Sequence, residues 1–236
     1  MDLHHKEILK LIKQNSGTPT KHTFSDSYLG NSHPRYPISN PVLRGVLKDW
    51  MVKHRHLSVN EFEKLLTSLF EGISSTEKSA AGMMLDYATH DQKQFNPKIF
   101  NIWLNHVIGW VEVDTLCTSK YTRTEITAQW KRWKPLLIKF SKSKNIQKRR
   151  ASIVLLCVPL RRPENAELVE VALQNIDRLK IEKEVLITKA ISWVLRSMVK
   201  NYRKSVLAYL TDNKTTLPAI AVRETMKKLM TGRKNG

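Results

Sequence analysis

The chain of 236 residues is poor in cysteine, and its two cysteines, Cys117 and Cys157, both lie in apolar stretches. Two such residues indicate buried thiols in a reducing compartment rather than a disulfide framework. No window holds the ~18 consecutive apolar residues that a membrane span requires, and the N-terminal residues lack the apolar run of a signal peptide. These absences argue against a secreted disulfide-rich protein and a membrane protein, and they predict a soluble, cytoplasmic one.

Glycine and proline are also scarce, with eight and nine residues, and no segment alternates apolar and polar residues as a strand does. Two local signals mark helix starts: Asn40-Pro41 as an N-cap followed by proline, and Ser58 with Glu61 as a capping box. The pattern therefore predicts an all-α protein. We expect helices at residues 2–14, 40–56, 58–70, 75–88, 96–107, 109–121, 124–141, 145–158, 163–176, 181–200, 202–210 and 216–230.

The spacing of these helices fits the ~40-residue helix-pair period of HEAT-like repeat solenoids. We therefore expect one domain over residues 1–230, built from about six antiparallel helix pairs, and a disordered basic tail over residues 231–236. The inner helices of a solenoid form an extended concave surface, which we expect to be basic here. Because no strict sequence repeat is visible, a compact irregular bundle is the alternative.

Acidic residues are few: 21 Asp and Glu face 40 Lys and Arg, which gives a formal net charge of +19. From Ile126 to Pro163 no acidic residue occurs at all. Such an excess favours a polyanionic partner, with nucleic acid ahead of an anionic membrane surface, while a generally basic protein is the alternative. The cations of this stretch are Lys131, Arg132, Lys134, Lys139, Lys142, Lys144, Lys148, Arg149, Arg150, Arg161 and Arg162.

The predicted helix 181–200 has an apolar side and a basic side. Its apolar stripe consists of Ile187, Ile191, Val194 and Met198. Trp193 falls on the opposite side, among Lys189, Arg196 and Lys200. Cations can meet phosphates while an aromatic ring packs on a sugar or base, so this side is a candidate nucleotide contact. The alternative is a tryptophan that covers a neighbouring helix, with the cationic side chains extended around it.

Trp110 and Asp114 are four residues apart on another predicted helix and so share one face. A carboxylate on a DNA-binding face would repel phosphates, and it is useful there if it stabilises a positive charge that develops during a reaction. An exposed or arginine-paired aspartate is the structural alternative. Arg150 lies in the apolar stripe of its helix and needs a partner, for which Asp114 and a phosphate are equal candidates.

Other chemistry finds little support in the sequence. His54 and His56 lack metal-ligand spacing with acids or cysteines, and neither a Walker loop nor a glycine-rich dinucleotide motif occurs. Cys117 has no evident histidine partner for nucleophilic catalysis. We therefore predict no metal and no cofactor.

Three segments together resemble the family of AlkD-like DNA alkylation repair glycosylases. The segment 189–196, with the sequence KAISWVLR, is similar to the family's K-A-I-G-W-V-L-R signature. Trp110 and Asp114 are similar to its W-x-x-x-D element, and Arg150-Ala151 to the pair that opens the intervening helix. The likeness extends from residue 28 to residue 229. Two departures are that the segment before Trp110 is shorter, and that Gly109 precedes Trp110 in place of a second aromatic residue.

The resemblance implies a curved stack of HEAT-like helix pairs that hydrolyses the N-glycosidic bond of N3- and N7-alkylated purines in duplex DNA, as a monofunctional glycosylase without metal or organic cofactor. It implies that Asp114 is the catalytic carboxylate, that Trp110 and Trp193 frame the deoxyribose of the lesion, and that family members work without flipping the base into a pocket. The expected DNA contacts are Arg150, Arg196, Arg149, Lys148, Lys189, Lys200 and Tyr28. We expect a monomer that associates with the nucleoid when bound to DNA.

Two other functions fit the same residues. A repeat protein without catalysis that recognises damaged or branched DNA would bind duplex in a salt-dependent way without base release. A HEAT-like scaffold for an acidic protein partner would be insensitive to competitor DNA.

Overall fold

The computed structural model of the chain describes residues 1–19, 30, 32–162 and 166–233. Every regular element in these ranges is a helix, which confirms the predicted all-α class. The chain divides into two compact units, residues 1–121 and 122–236. Whether the two units form the single domain predicted over residues 1–230 depends on how they are joined, so that prediction stays a prediction.

In the part of unit 1 that the structure describes there are six α-helices. A short 3₁₀ turn, Asp91–Lys93, follows α4, and another, Pro97–Ile99, leads into α5. The helices are α1 (Leu3–Gln14), α2 (Asn40–Lys53), α3 (Val59–Phe70), α4 (Ser75–Met84), α5 (Phe100–Trp103) and α6 (Gly109–Cys117).

Helix α7 (Lys120–Ala128) begins at the end of unit 1, and the remaining helices belong to unit 2. A 3₁₀ turn, Pro159–Arg161, follows α9. The helices are α8 (Trp130–Ser141), α9 (Ile146–Cys157), α10 (Ala166–Leu179), α11 (Val185–Met198), α12 (Arg203–Asp212) and α13 (Ala219–Thr231).

Within each unit the helices stack in two layers. In unit 2, α9, α11 and α13 pack side by side in one layer, α8 packs on α10 in the other, and chain neighbours pack across the layers. In unit 1, α2, α4 and α6 form one layer, and α3 packs against α5. Contacts between every second helix are the signature of helical repeats, because each repeat buries its apolar face on its neighbour.

Local capping residues set several helix starts as the sequence predicts. The Asp2 side chain accepts backbone N–H groups at the start of α1, and the predicted capping box of Ser58 and Glu61 is present at α3. A second capping box, of Ser74 and Glu77, opens α4. The prediction at α2 is wrong by one residue: Ser39 is the N-cap, Asn40 is already helical, and no side chain caps the helix.

Several predicted helix bounds differ from the observed ones by one to four residues, as at 75–88, 163–176 and 181–200. Three more predictions also differ from the structure. Residues 96–107 contain a 3₁₀ turn and one short helical turn, and Phe100 and Trp103 are buried among other aromatic rings. The predicted helix 124–141 is two helices separated at Gln129, whose backbone leaves the helical region. The predicted tail begins too early, since α13 continues to Thr231 and ends at Gly232 with a positive φ of 72°.

The two cores are aliphatic and aromatic, and both cysteines are buried thiols, as the sequence indicates. Among the described residues no helix is long and apolar enough to span a membrane. In the core of unit 1, the rings of Phe70, Phe95 and Phe100 pack around Trp103.

Candidate functional site

The start of α6 is held in place by a glycine and a buried glutamate. Gly109 has a φ of 75°, which a residue with a side chain rarely adopts. The backbone conformation at this position therefore favours glycine. Glu112 is fully buried, and its carboxylate accepts the Ile108 backbone N–H at 2.8 Å and His33 Nδ1–H at 2.9 Å. These contacts fix the helix turn that carries Trp110.

The middle of α6 is set by a close approach to α4. A Cβ atom on Gly82 would lie 3.0 Å from both the backbone carbon and the Cγ2 of Thr115. Glycine therefore lets α4 approach α6 at the position that follows Asp114. A larger side chain would have to displace the backbone of α6 and the residues next to it.

Trp110 and Asp114 line one cavity of about 350 Å³ in unit 1, as their shared helix face predicts. Both side chains are half-buried. The other residues of this cavity, which we call the aspartate cavity, are Arg35, Asn40, Arg44, Asp86, Val111, Thr115, Thr118 and Ser119.

The second carboxylate of the aspartate cavity has a structural role. Asp86 Oδ2 accepts a hydrogen bond from Arg44 Nη1 at 2.8 Å, and Asp86 Oδ1 accepts the Lys120 backbone N–H at 2.7 Å, at the first residue of α7. Both oxygens therefore hold other parts of unit 1, and the Asp86 carboxylate raises the pKa of the Arg44 guanidinium. Asp114 is the other aspartate on the lining of this cavity.

Sequence reasoning did not find Arg35, Arg44 or Asp86. Arg35 lies in the irregular segment before α2, and Arg44 and Asp86 are 42 residues apart in the chain. No helical spacing connects them with Trp110 and Asp114, because tertiary packing alone brings them to one cavity.

Trp193 lines a different cavity, of about 390 Å³, in unit 2. Its lining contains four cationic side chains and no carboxylate. The residues of this cavity, which we call the cationic cavity, are Arg161, Trp193, Arg196, Ser197, Lys200 and Lys228. Of the predicted basic side, Trp193, Arg196 and Lys200 line this cavity. The predicted apolar stripe of α11 is fully buried.

Arg196 has a partner on α13. Its Nε lies 3.3 Å from Glu224 Oε2 and donates to Ser192 Oγ at 3.2 Å, and Ser192 Oγ donates to the same Glu224 oxygen at 2.6 Å. The Glu224 carboxylate therefore offsets part of the charge of Arg196. The more exposed Lys200 and Arg161 carry charge at the mouth of this cavity.

Two arginines of the acid-free stretch are engaged within unit 2. Arg150 is buried, and its Nη1 donates to the Leu186 carbonyl at the start of α11. Arg149 donates to both oxygens of Glu182, at 2.8 and 3.1 Å, and to the carbonyls of Ser143 and Lys144. These contacts tie α9 to the segment before α11. The expected phosphate contacts of Arg149 and Arg150, and the pairing of Arg150 with Asp114, stay predictions.

Two more predicted DNA contacts, Lys189 and Lys148, lie outside both cavities. Lys189 is exposed on α11 and Lys148 is half-buried on α9; burial, and then the nearby charge of Lys139, lower the pKa of Lys148. Tyr28 lies outside the described residues.

Charge is divided unequally between the units. Residues 1–121 contain 14 Lys and Arg and 12 Asp and Glu, whereas residues 122–236 contain 26 and nine. Almost the entire net charge of the chain therefore belongs to unit 2, which also contains the cationic cavity.

The layered stacking in each unit places the chain in the class of all-helical repeat proteins. The chain belongs to the DNA alkylation repair enzyme family, whose family model matches residues 10–229. This confirms the resemblance of the sequence motifs and assigns a role in DNA repair.

One solved structure shares the fold across nearly the whole chain. It is described as a predicted DNA alkylation repair enzyme from Enterococcus faecalis, with 16% sequence identity and a TM-score of 0.69 over 92% of this chain and 99% of that chain. At that identity the likeness concerns the fold alone. Comparison with curated proteins finds no match.

Proposed function

We propose that the chain is a monofunctional DNA glycosylase that removes N3- and N7-alkylated purines from duplex DNA by hydrolysis of the N-glycosidic bond. The observation that carries the proposal is the aspartate cavity, in which Trp110 and Asp114 lie together in a member of the DNA alkylation repair family.

An alkylated purine already bears a positive charge and is a good leaving group, so the reaction needs little acid catalysis. As the N-glycosidic bond breaks, the positive charge moves to the deoxyribose. A carboxylate placed beside that sugar stabilises the charge and can orient the attacking water. Asp114 is assigned this role because it lines the aspartate cavity with Trp110 and matches the family's W-x-x-x-D element.

Trp110 lies one helical turn before Asp114 and can present the electron-rich face of its ring to the same sugar. A cation–π interaction of this kind contributes about 0.5–2 kcal/mol, more when water is excluded. In the family resemblance Trp193 takes the matching place on the other side of the sugar, and Tyr28 contacts the DNA.

Duplex binding is assigned mainly to unit 2. Its cations, those of the cationic cavity foremost, would neutralise backbone phosphates and release counterions. Arg196 and Lys200 fit this role through their place on the lining, although Arg196 would share its charge with Glu224. Contacts to phosphates position the protein without reading sequence, which suits a protein that searches for lesions in any sequence.

The test is release of free purine from a duplex that contains 7-methylguanine or 3-methyladenine. We expect the wild-type protein to release the alkylated base and to leave an abasic site in an unbroken strand, because water and not a protein amine attacks the sugar. In Asp114→Asn, release falls by at least about 100-fold, while duplex affinity is kept or raised, since a charge that repels phosphates is lost.

Asp49→Asn is the matched control, because Asp49 is exposed on α2 and lies outside the aspartate cavity. It should release purine at the wild-type rate. Unchanged release in Asp114→Asn would remove Asp114 from the reaction. Tight, salt-dependent duplex binding by a wild-type protein that releases no purine would instead favour the DNA-binding repeat protein without catalysis.

A further inference from the structure

Two histidines and a glutamate from separate helices meet at one point on the surface of unit 1. His4 and Glu7 lie on α1, and His54 is the C-cap of α2. Glu7 Oε2 lies 3.3 Å from His4 Nδ1 and 3.7 Å from His54 Nε2. Within the described part of the chain, these residues form a group whose three ligand atoms all lie within 4.8 Å of one another.

The orientation of the His54 ring is fixed by its surroundings. Its Nδ1 donates to the Trp50 carbonyl at 2.8 Å, because a carbonyl oxygen can only accept. The ring also stacks on Trp50, with the centroids 3.7 Å apart. In the neutral ring the lone pair is then on Nε2, the atom that faces Glu7. A histidine held at one nitrogen by a backbone carbonyl, with the other nitrogen turned toward further donors, is the usual arrangement of a metal ligand.

The distances from Glu7 to the two histidines fit a small tetrahedral ion. Zinc bonds of about 2.0–2.2 Å to nitrogen and oxygen place neighbouring ligands roughly 3.3 Å apart. The separations of 3.3 and 3.7 Å to Glu7 are close to this value. Trp50 Nε1 donates to the same Glu7 oxygen at 3.2 Å, so the carboxylate is oriented by a group that is not itself a ligand.

We propose that His4, Glu7 and His54 form a zinc site that joins α1 to the end of α2. Two imidazole nitrogens and one carboxylate suit Zn²⁺ and related transition metals, whereas Mg²⁺ and Ca²⁺ prefer oxygen donors. All three side chains are partly exposed, so water can complete the coordination. His56, whose ring is 5.8 Å from that of His54, is a second candidate for the fourth position.

The metal would stabilise the fold and is separate from the aspartate cavity, since none of its three ligands lines that cavity. The ion would link positions 47 residues apart in the chain, counted from Glu7 to His54. An ion that binds only the folded state stabilises it by mass action. Sequence spacing did not reveal the site, because its ligands come from two helices and form no metal-binding motif within either.

The experiment is a calorimetric titration of the full-length, untagged, metal-free protein with ZnCl₂, followed by Co²⁺ as a spectroscopic probe. We expect saturable binding of one ion per chain with a micromolar or lower dissociation constant, and a Co²⁺ absorption band of tetrahedral intensity. At a 100-fold excess of free Zn²⁺ over its dissociation constant, the unfolding temperature should rise by roughly 5 °C.

Two variants remove ligands with little change in shape. Glu7→Gln keeps an acceptor for Trp50, and His54→Asn keeps a donor for the Trp50 carbonyl; each should weaken Zn²⁺ binding by at least about 10-fold. His90→Asn is the control, because His90 is an exposed histidine outside the group. Circular dichroism of the metal-free proteins checks folding, and His4→Gln replaces either variant that loses helix. Absence of saturable binding, or equal binding in the ligand variants and the control, would overturn the proposal and leave the three residues as a hydrogen-bonded cluster.

Discussion

The aspartate cavity and the cationic cavity each contain a half-buried tryptophan, but the charges around the two rings differ. Trp110 shares its cavity with two aspartates and two arginines, and Trp193 shares its cavity with four cations. The units repeat this difference, since unit 1 is nearly neutral and contains all eight histidines of the chain, while unit 2 is strongly basic and has none.

This division has a physical reason if the protein both holds DNA and acts on it. A carboxylate surrounded by lysines and arginines would pair with them, and its charge would be offset before a reaction began. In a nearly neutral unit, fewer cations compete for a carboxylate that stabilises a positive charge developing on the substrate. Phosphate binding has the opposite requirement, because each added cation releases a counterion.

The largest expected effect concerns the buried pair that anchors unit 1. His5 Nε2 and Glu77 Oε1 are 2.8 Å apart, and both side chains are 1% exposed. Glu77→Gln should lower the free energy of unfolding by about 3–5 kcal/mol near neutral pH, because it removes one partner of a buried pair. Urea titrations would measure this, with Glu71→Gln, an exposed glutamate, as the control.

The same pair makes the stability of unit 1 dependent on pH. Burial acts to raise the pKa of Glu77, and hydrogen bonds from His5 and Ser74 outweigh it, so the pKa lies below the ordinary value of 4.5. A lowered pKa gives stability that is present above 4.5 and is lost as the pH falls through the folded-state value. The difference in the free energy of unfolding between wild type and Glu77→Gln should therefore become smaller at acidic pH. A constant difference from about pH 7 to about pH 3 would contradict this.

The next effect would disturb the aspartate cavity without touching its lining charges. Gly82→Ala places a Cβ against Thr115 and should lower the free energy of unfolding by about 1–3 kcal/mol through overpacking. It should also reduce purine release, because α6 carries both Trp110 and Asp114. In the matched variant Gly45→Ala the new Cβ meets nothing within 4 Å. Alanine should therefore raise the free energy of unfolding by about 0.5–1 kcal/mol. Equal stability changes in the two variants would show that the close helix contact is unimportant.

The smallest of these effects concerns the cationic cavity. Lys200→Gln and Lys228→Gln should each reduce the slope of log affinity against log salt by about 0.9. The loss of affinity should be equal for alkylated and undamaged duplex, because phosphates are the same in both. Fluorescence anisotropy over a range of salt concentrations measures the slope, with Lys98→Gln in unit 1 as the control. A loss confined to alkylated duplex would place the lesion, rather than phosphate, at this cavity.

Features encoded within one helix could be predicted from the sequence. The capping box of Ser58 and Glu61, the buried stripe of α11 and the shared face of Trp110 and Asp114 depend on residues three to four positions apart. Features that join distant segments could not be predicted from the sequence. Arg44 and Asp86, or Arg149 and Glu182, become partners only after helices have packed.

The predicted helix 96–107 failed for a related reason. Asn96-Pro97 is a genuine helix start, and the structure has a 3₁₀ turn there. Phe100 and Trp103 then pack among other aromatic rings on several sides, with Trp103 Nε1 donating to Thr67 Oγ1 at 2.9 Å. Tertiary packing around these rings outweighed the local helical signal.

The burial of the tryptophans gives each unit an optical reporter. Of the six, Trp50, Trp103, Trp130 and Trp133 are buried, and only Trp110 and Trp193 are half-exposed. Dissolved quenchers of fluorescence should therefore reach one ring in each unit. Iodide, an anion, should collide more often with Trp193 and caesium with Trp110, so that the two ions allow the electrostatic surroundings of each ring to be followed separately as DNA is added.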